Sequence, residues 1–128
     1  MIKLVFCVRR RPDLSGDDFK KYWMEKHASL VEKHAAALGA KRYVQSHTLE
    51  DDTNAVLRDS RGALEAFDGV AEVWWESLDV LTTVLSRPEG QAAGAELLED
   101  EREFIDLARS SLFLTEEHEI FEIQPGQP

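Results

Sequence analysis

A histidine lies on the apolar stripe of the first strongly periodic segment of the chain. His27 follows Trp23 by four residues, and Leu30 continues the same stripe. A helix with such a stripe packs against a sheet, so the imidazole of His27 is expected to face the space between helix and strands. Histidine titrates near neutral pH, so His27 can act there as a general base or acid. The alternative is a core histidine satisfied by one backbone carbonyl.

Three polar side chains alternate along a segment with the pattern of a strand. Tyr43, Gln45 and His47 share one of its faces. In a dry core each would need a hydrogen-bond partner, so this face predicts either a polar cavity or the wet interior of a dimer. Such a cavity below His27 would suit proton transfer on a phenol or ketone. His47 is then a second catalytic candidate, and Trp23, Tyr43 and Gln45 are candidate substrate contacts.

Further titratable residues fall on other predicted elements. Glu72 lies in a third strand, where an inward carboxylate would exchange protons or orient a histidine. Its alternative is a carboxylate paired with an arginine. Asp106 can cap a helix or orient a neighbour. His118 and Glu116 share a strand face, which allows either a metal contact or a solvated edge strand.

The periodicity of the chain predicts the order strand, helix, strand, strand, helix, strand. The strands are expected at residues 2–9, 40–49, 67–76 and 111–123. The first helix should begin after an N-cap at Ser15 and stop at Gly39. The second helical region is expected as a short helix at 77–85 and a longer one that is capped by Ser86 and reaches about residue 108.

This order is the split βαβ arrangement of a ferredoxin-like α+β domain, here covering residues 1–123. A four-stranded antiparallel sheet of this kind carries its helices on one face. The first strand is apolar on both faces, so we expect a second copy to cover the open face and form a homodimeric α/β barrel. Residues 50–66 are expected to form a long loop that can act as a mobile lid, and residues 124–128 a disordered tail.

Composition and motifs exclude several classes of function. The net charge of -10 disfavours nucleic acid and anionic membranes as partners. Cys7 is the only cysteine, which excludes a thiolate zinc site and indicates a small core residue, or a nucleophile if a base lies near.

No glycine-rich phosphate loop or dinucleotide fingerprint occurs, so neither a cofactor nor a metal is expected. The apolar start is too short for a membrane span and reads as a strand, so a cytoplasmic location is expected.

The sequence resembles the EthD domain family in several blocks that follow one another in register. These blocks are residues 3–6, 9–15, 19–27, 42–47, 68–74, 87–90, 99–101 and 104–106. The resemblance implies a ferredoxin-like fold, a homodimeric barrel and a cavity between helices and sheet. Related domains include polyketide-tailoring dehydratases and decarboxylases, and the wider superfamily includes cofactor-free monooxygenases, cyclases and haem-degrading enzymes.

The residues and the resemblance together predict a cofactor-independent enzyme for a small aromatic or polyketide-like molecule. Histidine acid/base chemistry would drive dehydration, cyclisation, decarboxylation or oxygenation. The family is often labelled oxidoreductase, but this label gains little support from the residues. Two alternatives remain: a non-catalytic protein that shelters a hydrophobic metabolite, and a haem-handling protein with an axial histidine.

Overall fold

The computed structural model describes residues 1–126 and contains a four-stranded antiparallel sheet with its helices packed on one face. The strands are β1 (Ile2–Val8), β2 (Arg42–His47), β3 (Gly69–Trp75) and β4 (Ser111–Glu116). The helices are α1 (Gly16–Tyr22), α2 (Ala28–Leu38), α3 (Thr53–Arg61), α4 (Leu78–Leu85) and α5 (Pro88–Glu101), with a π-helical segment (Trp23–His27) and a 3₁₀ turn (Leu107–Arg109). The predicted ferredoxin-like α+β fold is confirmed.

The sheet order β2-β3-β1-β4 follows from the alternation of side chains along the strands. Phe6 and Val8 of β1 point to the helices and are buried, and Ala71 of β3 pairs with Phe6 on the same face. On the opposite face, Val5 pairs with Glu72. The helix-side residues therefore form the core of the single chain, while no helix of residues 1–126 covers the other face, on which the side chains of Lys3 and Arg42 lie over the ring of Trp74.

The first helical region behaves as its end signals predict. The hydroxyl of Ser15 accepts a hydrogen bond from the backbone N–H of Asp18 at 3.1 Å, and Gly39 ends the region with a φ of 68°. Its buried face carries Phe19 and Trp23, which pack on Phe104 and Val8 in the centre of the core. Among residues 1–126, no helix combines the length and the apolar run that a membrane crossing needs.

The prediction of an irregular loop at 50–66 is wrong for Thr53–Arg61, which form α3. Gly62 adopts the left-handed conformation that commonly ends a helix. No residue of α3 is buried, and its apolar residues Ala55, Val56 and Leu57 are consecutive in the sequence instead of recurring at the spacing from which a packed helix is recognised. Movement of this segment as a lid stays a prediction.

Two predicted boundaries in the second half are also corrected. Arg87, not Ser86, occupies the N-cap of α5, and this helix ends at Glu101. Strand β4 ends at Glu116, not Ile123, because Glu116 pairs with Ile2, where β1 begins. The described residues after Glu116 form no regular structure. Of the predicted tail at 124–128, residues 127 and 128 lie outside the described part.

Strand β4 is an apolar edge of the sheet. It pairs only with β1, and Leu112, Phe113 and Leu114 are 57%, 48% and 46% exposed. A strand edge with large exposed apolar side chains on both faces is a site for association with another chain.

We predict that the protein is a homodimer and that Phe113→Glu converts it to a monomer. Phe113 lies on the uncovered face, where a carboxylate buried without a partner is costly. Light scattering at micromolar concentration should give about twice the 14.5 kDa chain mass for the wild type. Leu57→Glu on α3 is the matched control, since Leu57 is 53% exposed and lies away from the sheet. A monomeric wild type would contradict the barrel.

Candidate functional site: a histidine–aspartate pair at an apolar cavity

His27 is held by a carboxylate from the far end of the chain. Its side chain is buried, and its Nδ1 lies 2.7 Å from Oδ2 of Asp100, the penultimate residue of α5. The other oxygen of Asp100 accepts a hydrogen bond from the hydroxyl of Tyr22 at 2.5 Å. Burial and the bond to Asp100 raise the pKa of Tyr22 to about 12, so this hydroxyl stays a donor. Asp100 is therefore fixed from two sides and fixes the ring of His27.

The second ring nitrogen of His27 faces open space. Within residues 1–126, no hydrogen bond to its Nε2 is formed, while every fully buried polar side-chain atom has a partner. Nε2 is thus accessible. Burial lowers the pKa of His27 below its ordinary value, and the opposing effect of Asp100 is smaller. The imidazole is therefore neutral at pH 7, with its proton on Nδ1 by the geometry of the bond to Asp100 and a free lone pair on Nε2.

A cavity of about 440 Å³ lies between the sheet and the helices. Side chains from all four strands, α2, α4 and α5 surround it, and they are apolar except for His27, Tyr43 and Glu101. Its volume and apolar lining are typical of a site for a small organic ligand. Trp23, a predicted substrate contact, lines the wall beside His27.

Glu101 is a cavity residue that the sequence interpretation missed. Burial first, and then the charge of Asp100, raise its pKa to about 7 from the usual 4.5. The sequence did contain an indication of this role. Glu101 falls on the helical stripe of Leu97 and Phe104, where apolar residues are expected. A carboxylate at such a position indicates a special environment. Asp100 carried no such signal, since its partner His27 is 73 positions away.

The polar residues of β2 do share the helix-side face, but only Tyr43 lines the cavity. The side-chain amide of Gln45 donates to the hydroxyl of Tyr43 and to the backbone carbonyl of Trp23, both at 2.9 Å. Its carbonyl oxygen lies 2.9 Å from Nε2 of His47. The ring of His47 stacks on that of Trp23, with centroids 4.6 Å apart. Gln45 and His47 therefore support Trp23 and Tyr43 from outside the cavity.

The placement of Glu72 corrects its assignment to the site. It lies on the uncovered face of the sheet, opposite His27, and its carboxylate pairs with the amine of Lys3 at 2.5 Å. Alternation along β3 fixes this side, because its neighbours Ala71 and Val73 face the helices. Glu72 can neither line the cavity nor orient His27.

Asp106 and His118 also lie outside the cavity. Asp106 precedes the 3₁₀ turn and makes no side-chain cap hydrogen bond. His118 is exposed and contacts Glu116 at 3.1 Å. Throughout the described residues, no group of three or more histidine, cysteine, aspartate or glutamate side chains is placed to hold a metal ion.

Glycine at position 69 makes room for the aromatic wall of the site. A Cβ on Gly69 would lie 2.5 Å from the ring of Trp23 and 2.7 Å from the carbonyl oxygen of Ser46. The ring can therefore lie directly on the backbone of β3. The same tryptophan begins the π-helical segment, where its carbonyl accepts the N–H of Ala28, five residues on. Such segments are frequent at functional sites.

A family model identifies the family of the chain, and solved structures share its fold. The family model described as EthD domain matches residues 11–108. A comparison with curated proteins finds no match. The solved structure of an EthD family protein from Bacillus halodurans superposes with a TM-score of 0.61 at 19% identity, covering 92% of this chain and 99% of that one.

Two further solved structures share the fold. A dimeric protein with a ferredoxin-like fold from Bacteroides fragilis has a TM-score of 0.56 at 15% identity, with 90% of this chain and 94% of that one covered. A variant of SnoaB, a cofactor-independent oxygenase from Streptomyces nogalater, has a TM-score of 0.54 at 16% identity, with 94% and 97% covered. At these identities the likeness establishes the fold only.

We predict that Gly69→Ala destabilises the protein by about 1–3 kcal/mol, because the ring of Trp23 must move off the strand. Chemical denaturation measures the loss. Gly94→Ala in α5 is the control, since an added Cβ there meets nothing within 4 Å and should stabilise the helix by about 0.5–1 kcal/mol. Equal stability of Gly69→Ala and wild type would contradict the close contact.

Glu101 should make stability depend on pH near neutrality. Its folded pKa of about 7 lies above the usual 4.5, so its contribution is complete below pH 4.5 and is lost as the pH rises through 7. Glu101→Gln cannot lose a proton. We therefore expect its free energy of unfolding, relative to wild type, to rise between these values, as measured by denaturation across pH. Glu99→Gln, an exposed position, should show no such rise.

Proposed function

The chain belongs to the EthD domain family, and from this premise we propose that it is a cofactor-independent enzyme that transfers protons on a small aromatic or polyketide-like molecule. One observation carries the proposal: a buried histidine, fixed by an aspartate, presents its free nitrogen to an apolar cavity of about 440 Å³. The fold alone supports many reactions, so the argument rests on this site.

His27 is the proposed catalytic base. Its Nε2 takes a proton from a ligand that lies against Trp23 and Tyr43. The imidazolium that forms is stabilised by Asp100, whose carboxylate already accepts a hydrogen bond from the Nδ1–H group. The apolar walls lower the local dielectric constant, which strengthens this interaction.

Proton abstraction of this kind is the first step of several reactions. In dehydration, cyclisation and direct oxygenation this step generates an enolate or a carbanion, whereas in decarboxylation the loss of CO₂ generates the carbanion and protonated His27 would supply the proton that it takes up. The neighbours support an enzyme in general terms, since SnoaB is described as a cofactor-independent oxygenase. Neighbours described as dimeric support the proposal that this chain acts as a homodimer.

A non-catalytic binding protein is the second candidate, favoured by the largely apolar lining of the same cavity. Such a protein needs the shape of the cavity but no titratable group at its wall. The two functions therefore differ in what they require of His27, and a substitution that preserves shape separates them.

We predict that His27→Asn binds two- and three-ring aromatic ketones and phenols nearly normally but turns them over about 10²–10⁴ times more slowly. The measurement pairs calorimetric binding with mass spectrometry of products formed under air and under nitrogen, which separates oxygenation from the other reactions. Asp100→Asn should also be slow, because it no longer fixes the tautomer of His27.

The control for this experiment is His118→Asn, since His118 is exposed and outside the cavity. It should match the wild type in binding and rate. Turnover by a folded His27→Asn protein at the wild-type rate would overturn the proposed base. Binding by the wild type without any turnover would favour the binding protein.

A further inference from the structure

We propose that Glu101 is a second catalytic residue, a neutral carboxylic acid that donates its proton to a carbonyl oxygen while His27 removes a proton from the adjacent carbon. The site would then act on enolisable ketones attached to aromatic rings. This inference rests on the proposed function of His27, which it extends by a residue and a substrate class.

The two carboxylates at the end of α5 have different surroundings. Consecutive residues of a helix point about 100° apart, and here Asp100 turns to His27 and Tyr22 while Glu101 turns to the cavity. Within the described residues, neither carboxylate oxygen of Glu101 takes part in a hydrogen bond, and no fully buried polar side-chain atom lacks one. The carboxyl of Glu101 is therefore open to the same cavity as Nε2 of His27.

The surroundings of Glu101 favour its protonated form. From β1, β3, β4 and α4, only apolar side chains face the cavity. The titratable groups near Glu101 are Tyr43 from β2, His27 from the π-helical segment, and Asp100 beside it. None of them is a cation at pH 7, and Asp100 is a fixed anion that already has two donors. An ionised Glu101 would face a second negative charge in an apolar space. Its pKa is therefore raised to about 7, and the carboxyl keeps its proton below that pH.

A neutral carboxyl and a neutral imidazole on one cavity form an acid and base pair for enolisation. The C–H bond next to the carbonyl breaks, and its proton moves to Nε2 of His27. The electron pair of that bond forms the C=C bond of the enol, while the C=O π bond opens onto oxygen. That oxygen takes the proton of Glu101. The reverse transfers restore ketone, Glu101 and His27, so the step needs no oxidant and no metal.

The same two residues select the ligand. A neutral ketone can accept a hydrogen bond from Glu101, whereas an anionic ligand would meet Asp100 and any ionised Glu101 in an apolar space. The aromatic ring is suited to the wall formed by Trp23 and Tyr43. Uncharged aryl ketones with a hydrogen next to the carbonyl therefore fit the site better than carboxylates or phosphates.

The test is the exchange of the α-hydrogens of 1-tetralone, a two-ring aryl ketone, for deuterium in D₂O, followed by proton NMR. The wild type should accelerate exchange well above buffer. Glu101→Leu removes the carboxyl proton donor and places an apolar side chain in an apolar wall. The variant should lower the rate of exchange about a hundredfold or more. Glu101→Gln keeps a hydrogen-bond donor but cannot release a proton, so its rate should lie between the rates of Glu101→Leu and the wild type. It should also lose the decline in rate that the wild type shows as the pH rises through about 7.

The variants distinguish failure of this inference from failure of the proposed function. Exchange that depends on His27 but is unchanged in Glu101→Leu would overturn the role of Glu101 and leave His27 as the base. Binding of 1-tetralone with exchange at the buffer rate would overturn the ketone class, while the wider panel of aromatic substrates still tests His27. Exchange that persists in His27→Asn would overturn both. Glu99→Leu, at an exposed position of the same helix, should behave as the wild type.

Discussion

The hydrogen bond between His27 and Asp100 is the interaction on which the site depends, because it joins two segments that are distant in the sequence and buries a titratable pair. A carboxylate removed from water is costly unless its lone pairs are used. Asp100 meets this condition by accepting from both His27 and Tyr22. The contact thereby sets the position of α5 against the first helical region. A second pair between these helices, His34 with Glu96 at 2.8 Å, has a half-exposed carboxylate and contributes much less.

The space beside this pair exists because the local structure departs from ideal geometry. The carbonyl of Trp23 accepts the backbone N–H of Ala28 in the π-helical segment and also the side-chain amide of Gln45. Gly69 lets the tryptophan ring lie on the sheet, and His47 covers the ring from the other side. Each of these features makes the backbone less regular or the packing of side chains less complete. Together they hold an aromatic wall in place and leave an apolar cavity unfilled next to a base, which indicates that the cavity is functional.

Strand positions and the first helical region could be predicted because their apolar patterns and end signals lie within short windows of sequence. Helix α3 could not, since none of its residues is buried and its pattern is polar. Glu72 was misplaced for a different reason: both faces of β3 carry apolar residues, so alternation places Glu72 with Trp74 but does not say which face meets the helices. Only the pairing of β3 with β1 decides it. Asp100 was missed because its role comes from a contact across 73 positions.

Asp100 and Glu101 show how neighbouring residues of one type acquire opposite chemistry from their surroundings. Asp100 has a donor on each oxygen, the hydroxyl of Tyr22 on one and Nδ1 of His27 on the other. Glu101 has none among the described residues and faces an apolar space beside that charge, which favours its protonated form. The charge of Asp100 therefore acts twice: it supports a base on one side and keeps an acid protonated on the other. A structure that separates two carboxylates in this way has the parts needed to remove one proton and deliver another within a single cavity.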